Sequence, residues 1–256
     1  MGNYILCGQP AAEIPYHIDS ISLNLYSLQE LCYFIANYIP MADESVICEK
    51  LTDWLEQECS LPGTAELVRS FLNRENGTFE AIKLILKSAH YYSAAQLEKI
   101  LAKLEEYNSK REPERKKMRA DLLMSQKKYR NAIEEYRKIL DMTGIISEQK
   151  DFRAKVYYNL GSAYARMFRL GSAKTCFSRS YDLQKEEKVK RALLAAAYLE
   201  GGKTALETEA ARVGADEGEV NTFLLEIRSV DTPKVEENVS ELAERWISEY
   251  HENTGL

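Results

Sequence analysis

Arg119–Leu140 reads RADLLMSQKKYRNAIEEYRKIL and, 41 residues on, Leu160–Tyr181 reads LGSAYARMFRLGSAKTCFSRSY. Ala120 stands twelve residues before Ala132, and Gly161 stands twelve before Ala173. In the first stretch Leu123, Tyr129, Ala132, Tyr136 and Ile139 recur at helical spacing; in the second Tyr164, Ala173, Phe177 and Ser180 do. Small residues at Gly161 and Ala173 fit where paired helices approach closely. Large ones at Tyr157, Leu160, Tyr164 and Phe177 fill the space between neighbouring pairs.

Helical periodicity continues on both sides of this core. Upstream, Ser27 and Glu30 have capping-box spacing, followed by an apolar stripe of Leu28, Leu31, Cys32, Ile35, Tyr38 and Ile39 that Pro40 ends. Asp43 is expected to cap a second helix bearing Ile47, Leu51, Trp54 and Leu55. Pro62-Gly63 is expected to punctuate before a stripe of Leu67, Val68, Phe71 and Leu72. Asn76-Gly77 breaks the chain, Thr78 is expected to cap a fourth helix with Ile82, Ile85, Leu86 and Ala89, and Ser93 with Gln96 forms another capping box ahead of Leu97, Ile100, Leu101 and Leu104. The charged run Ser109–Lys117, with Pro113 tolerated at a helix start, marks a soft boundary. Downstream, Leu194-Ala195 and Tyr198 suggest a degenerate third unit. Val220, Phe223, Leu224 and Ile227 suggest a further helix, and Val239, Leu242, Trp246 and Tyr250 a last one after Pro233. The organisation expected is an irregular segment over 1–26, in which Ile18, Ile21, Leu23 and Leu25 suit a short extended piece. A helical bundle or degenerate repeats follow over 27–109, then repeats with terminal capping helices over 110–256.

Composition narrows the function classes. The 256 residues carry a net charge of −6, which brings no general attraction to nucleic acid or anionic lipid. The basic cluster Lys110, Arg111, Arg115, Lys116, Lys117 and Arg119 is diluted by Glu112 and Glu114 and lacks aromatic residues, so it reads as a charged helix start. No apolar run reaches the length of a membrane span. Five cysteines (Cys7, Cys32, Cys48, Cys59 and Cys176) without a Cys-x-x-Cys fit reduced thiols. The start lacks a secretory pattern, and Leu6 stands where myristoylation at Gly2 would want Ser or Thr. His17, His90 and His251 have no metal-ligand spacing, and Gly201-Gly202-Lys203-Thr204 lacks the upstream glycine of a phosphate loop, reading instead as a helix end and turn. No catalytic constellation, metal or cofactor is expected.

The repeated pattern resembles the tetratricopeptide repeat, best over Ala154–Glu187 and with departures over Pro113–Ile146, where Lys116 and Arg119 replace large apolar residues. The resemblance implies an all-α fold, a right-handed α-solenoid of helical hairpins. It also implies a non-catalytic scaffold or adaptor, of cytoplasmic and bacterial type, that binds a protein or peptide in a helical groove. By resemblance the groove draws on Lys117, Asp121 and Met124 from the first unit, and on Lys155, Tyr158, Asn159, Ser162 and Arg166 from the second. The third supplies Val189, Ala192, Ala196 and Leu199. One family variant clamps a C-terminal carboxylate; Lys117 and Asn159 stand at two such positions, while Asp121, Val189 and Leu193 depart from it. A mixed groove suits an amphipathic peptide. Two alternatives stay open: a peptide- or ligand-responsive regulator, and self-association through Trp246 and Tyr250.

Overall fold

The computed structural model describes residues 11–142, 150–229 and 243–248. Helix makes up 74% of the described residues, so the fold class is all-α. It divides into two compact units, Met1–Gly202 and Lys203–Leu256.

The first unit opens on an antiparallel hairpin, β1 (Tyr16–Ile18) and β2 (Leu23–Leu25), with Tyr16 opposite Leu25 and Ile18 opposite Leu23. Alternation explains it: Tyr16, Ile18 and Leu25 are buried while His17 and Asn24 face outward, joined at 2.6 Å. Helix α1 (Leu28–Asn37) starts on Ser27, whose hydroxyl accepts from the Glu30 amide at 3.2 Å. The Glu30 carboxylate accepts from the backbone of Tyr26, one residue earlier than a full capping box requires. A short 3₁₀ turn, Ile39–Met41, follows with Pro40 inside it.

Several expected boundaries shift. Asp43 does not cap α2 (Glu49–Gln57). Its carboxylate accepts from the amide and hydroxyl of Ser45, closing a local turn, and the helix starts on Cys48. Pro62 and Gly63 begin α3 (Pro62–Arg69) because the first helical turn needs no proline N–H. Leu67 is exposed, and Phe71 and Leu72 lie past the helix end, so of that expected stripe only Val68 is buried within a helix. Helix α4 (Gly77–Ser88) starts on Asn76 in the left-handed region, placing Thr78 inside the helix. Ser93 and Gln96 form the full capping box of α5 (Ala94–Ser109).

The repeats form two helical hairpins, α6 (Glu112–Ser125) with α7 (Tyr129–Asp141) and α8 (Lys150–Arg166) with α9 (Leu170–Leu183). Ala120, Ala132, Gly161 and Ala173 are all buried at the helix contacts. A methyl group on Gly161 would lie 2.7 Å from Cε1 of Phe177, so the close approach needs glycine. Tyr157, Leu160, Tyr164 and Phe177 are buried, each worth roughly 1.5–3 kcal/mol. The Ser180 hydroxyl donates to the Ala154 carbonyl at 2.8 Å, tying α9 to α8. Helix α8 begins three residues earlier relative to the repeat than α6 does, which takes up part of the long spacing between units; residues 143–149 lie outside the description. Arg119 departs from the exposed helix start expected of it. Its guanidinium is largely buried, pairs with Asp43 and faces Glu135 at 4.0 Å, and burial lowers its pKa.

Both hairpins turn through a residue in the left-handed region, Lys127 and, 41 residues later, Phe168 with φ of 55°. Phe168 is 87% exposed, so its ring contributes little burial while its Cβ strains the backbone. Phe168→Asn is expected to stabilise the protein by about 0.5–1 kcal/mol, read as a raised urea midpoint, because asparagine tolerates this conformation.

Helix α10 (Glu187–Val213) breaks at Gly201 and Gly202, the latter with φ of 66°, a conformation glycine adopts without penalty. The break matches the helix end and turn read there. In the second unit, Val220 and Phe223 of α11 (Glu217–Ser229) are buried. Residues 243–248 are helical and expose Trp246 and Ile247. Cys7, Val239, Leu242, Tyr250 and His251 lie outside the described residues. Among the described residues, no helix is long and apolar enough to cross a membrane.

Candidate functional site

Helices α6 and α8 and the start of α10 surround a cavity of about 220 Å³ that includes Lys117, Lys155, Tyr158, Asn159, Lys188 and Val189 in its lining. Successive turns of α8 present Lys155, Tyr158 and Asn159 on one face, because residues three and four apart are helical neighbours.

Asp121 organises the floor. Its carboxylate pairs with the Lys117 ammonium at 2.5 Å, one turn earlier on α6. It also accepts from the Tyr136 hydroxyl of α7 at 2.5 Å and from the Asn159 amide of α8 at 2.8 Å. Three helices therefore meet on one carboxylate. Burial, and then the bond to Asp121, raises the pKa of the Tyr136 hydroxyl, which stays protonated and donates. This arrangement gives a physical account of the departure from a carboxylate clamp. Lys117 and Asn159 stand at two clamp positions, yet both are engaged by Asp121.

The rim is basic. Lys188 pairs with Glu186 at 2.9 Å and lies 5.4 Å from the centre of the Tyr158 ring. Lys155 is exposed, and its ammonium has no hydrogen-bond or ion-pair partner among the described residues. It is the cation here that an incoming anionic group meets uncompensated.

The remaining expected groove residues lie outside this cavity's lining. Ser162 donates to the Tyr158 carbonyl of its own helix, and the Arg166 guanidinium lies 6.0 Å from the Tyr129 ring. Val189 borders the cavity but is only 3% exposed, and Ala196 is 4% exposed. Val189 and Ala196 are therefore almost wholly covered, whereas Leu199, expected on the same surface, is 64% exposed.

Two further cavities draw on residues outside the expected groove. One, of about 460 Å³, is polar and gathers Asp43, Arg115, Arg119 and Glu135. The other, of about 520 Å³, is mainly apolar and lies among β2, α1 and α6. Its marker in the sequence is the aromatic density of Tyr33, Phe34, Tyr38 and Tyr91. Burial raises the Cys32 thiol to about 12 and, as the main cause, the Cys59 and Cys176 thiols to about 11, leaving all three protonated near neutral pH. Among the described residues, no group of three His, Cys, Asp or Glu side chains is placed to hold a metal ion.

No curated protein and no solved structure matches the chain. Residues 118–144 and 154–187 match the family model of the tetratricopeptide repeat, which coincides with the two hairpins α6–α7 and α8–α9. Such repeats generally mediate protein–protein interaction and are typically non-enzymatic. With their small residues at the helix contacts and aromatic residues between the hairpins, residues 118–144 and 154–187 are tetratricopeptide repeats.

Proposed function

We propose that the protein is a non-catalytic, cytoplasmic scaffold that receives a segment of a partner protein across the α6–α8 face, with Lys155 meeting an acidic group of that segment. The observation that carries this reading is the Lys155 ammonium, exposed and uncompensated in a concave site that Tyr158 also lines. Tyr158 offers an apolar ring with a polar tip, the kind of side chain that supplies contact area at low entropic cost. Lys117 and Asn159 act here as supports of the floor, since Asp121 engages both. The segment preferred is amphipathic, with an acidic residue near an apolar or aromatic one.

The test is capture of the partner from source-cell lysate, followed by titration of the purified pair. Lys155→Glu leaves no buried group unpaired, so it should fold as the wild type does and should weaken binding about tenfold or more, from the lost pair and the new repulsion. A partner bound with unchanged affinity by the folded variant would remove the site from this face.

A further inference from the structure

The 520 Å³ cavity lies away from the α6–α8 face, and its volume falls in the range of small-molecule sites, roughly 300–1,000 Å³. Its walls include Leu23 and Leu25 of the hairpin, Phe34 and Tyr38 of α1, Met41 of the 3₁₀ turn and Leu123 of α6. Phe34, Leu25, Met41 and Leu123 belong to the packed core, so much of the wall is held rigid. Tyr33, 55% exposed, stands at the mouth. This is a wall, not a loop surface: three separate elements close on it, and the Phe34 and Tyr38 rings pack at 5.7 Å.

Its charged groups are unequal. Glu30 lines the cavity and keeps its negative charge, its carboxylate held at the start of α1 by accepting from the Tyr26 amide at 2.6 Å. Lys128 also lines it, half-buried at the start of α7, and its ammonium has no hydrogen-bond or ion-pair partner among the described residues. A mainly apolar chamber with an unpaired lysine at its α7 edge suits an apolar body whose negative head lies on Lys128 and away from Glu30. From this geometry we infer that the cavity is a binding site for a small amphiphilic monocarboxylate, its apolar body among the part-exposed Leu23, Tyr38, Tyr91 and Leu122 and its carboxylate on Lys128. The site is independent of the α6–α8 face, and the inference does not rest on the scaffold reading.

Decanoate is the probe, titrated calorimetrically into the full chain at pH 8, where its carboxylate is ionised. Its methyl ester is the uncharged comparison. Decanoate should bind at least tenfold more tightly than the ester. Lys128→Gln should abolish that preference, and Gln126→Glu, which adds a negative charge to an exposed lining position, should weaken decanoate but not the ester. Tyr33→Ser should weaken both. Circular dichroism shows that each variant is folded, and all three positions are at least partly exposed, so folding and binding are separable. Equal affinity for acid and ester, or decanoate binding unchanged by Lys128→Gln, would overturn the assignment. So would absence of decanoate binding, including the case where a peptide with an apolar residue before its free C-terminal carboxylate binds at Lys128 instead, which would give the cavity to a protein tail.

Discussion

Gly161→Leu is expected to destabilise the protein by about 3 kcal/mol or more, seen as a large fall in the urea midpoint, with the second hairpin no longer closing. A Cβ at this position already falls 2.7 and 2.8 Å from two atoms of the Phe177 ring and 3.2 Å from Cβ of Cys176. Phe177 is itself buried, so its ring has no open space to enter. Alanine is a gentler version of the same test. Its methyl group forces the ring aside, but alanine favours a helix over glycine by about 1 kcal/mol, which offsets part of the clash. Pairing Gly161→Ala with Phe177→Leu should cost less than the two single changes added together, because the smaller side chain vacates the contested space. A fully additive pair would show that the close approach of α8 and α9 does not limit stability.

Asp121→Ala should cost about 3 kcal/mol. The carboxylate is the acceptor for a buried tyrosine hydroxyl and an asparagine amide, and the counter-charge of a lysine. An orphaned buried donor alone costs roughly 1–3 kcal/mol, and Tyr136 is fully buried. Asp121→Asn should cost about half as much, since the amide oxygen still accepts from Tyr136 while the Lys117 pair is lost. Tyr136→Phe in the Asp121→Ala background should recover part of the loss by removing the orphaned hydroxyl. If the double variant is no more stable than Asp121→Ala, the hydroxyl is not the source of the cost. Chemical denaturation followed by circular dichroism reads all four proteins.

Much of the repeat region was legible because its signals are local. The Ala120–Ala132 and Gly161–Ala173 spacings encode the contact of each hairpin within a dozen residues. The boundaries upstream were harder, because turn-forming residues start helices as readily as they end them. Pro62 sits in a first turn, Asn76 precedes one, and Asp43 spends its carboxylate on Ser45 and Arg119. In the sequence the hairpin at Tyr16–Leu25 signals no more than an extended piece, since two strands of three residues carry almost no periodicity. At the site, residue types were legible but partners were not. Nothing near Asp121 in sequence shows that Tyr136 and Asn159, from two other helices, converge on it. The aromatic cavity escaped for a similar reason: the periodic stripe on α1 accounts for its core face, while Tyr33 lies off that stripe.

Two contacts reach back from the first repeat across long stretches of chain. Arg119 pairs with Asp43 over a separation of 76 residues, and the Asn131 amide donates to the Ser20 carbonyl over 111. Closing such loops carries an entropic cost that no local contact repays in advance, whereas each repeat hairpin closes through neighbours along the chain. Loop-closure entropy therefore predicts that the Ser20–Asn131 and Asp43–Arg119 contacts form after the hairpins α6–α7 and α8–α9 have closed.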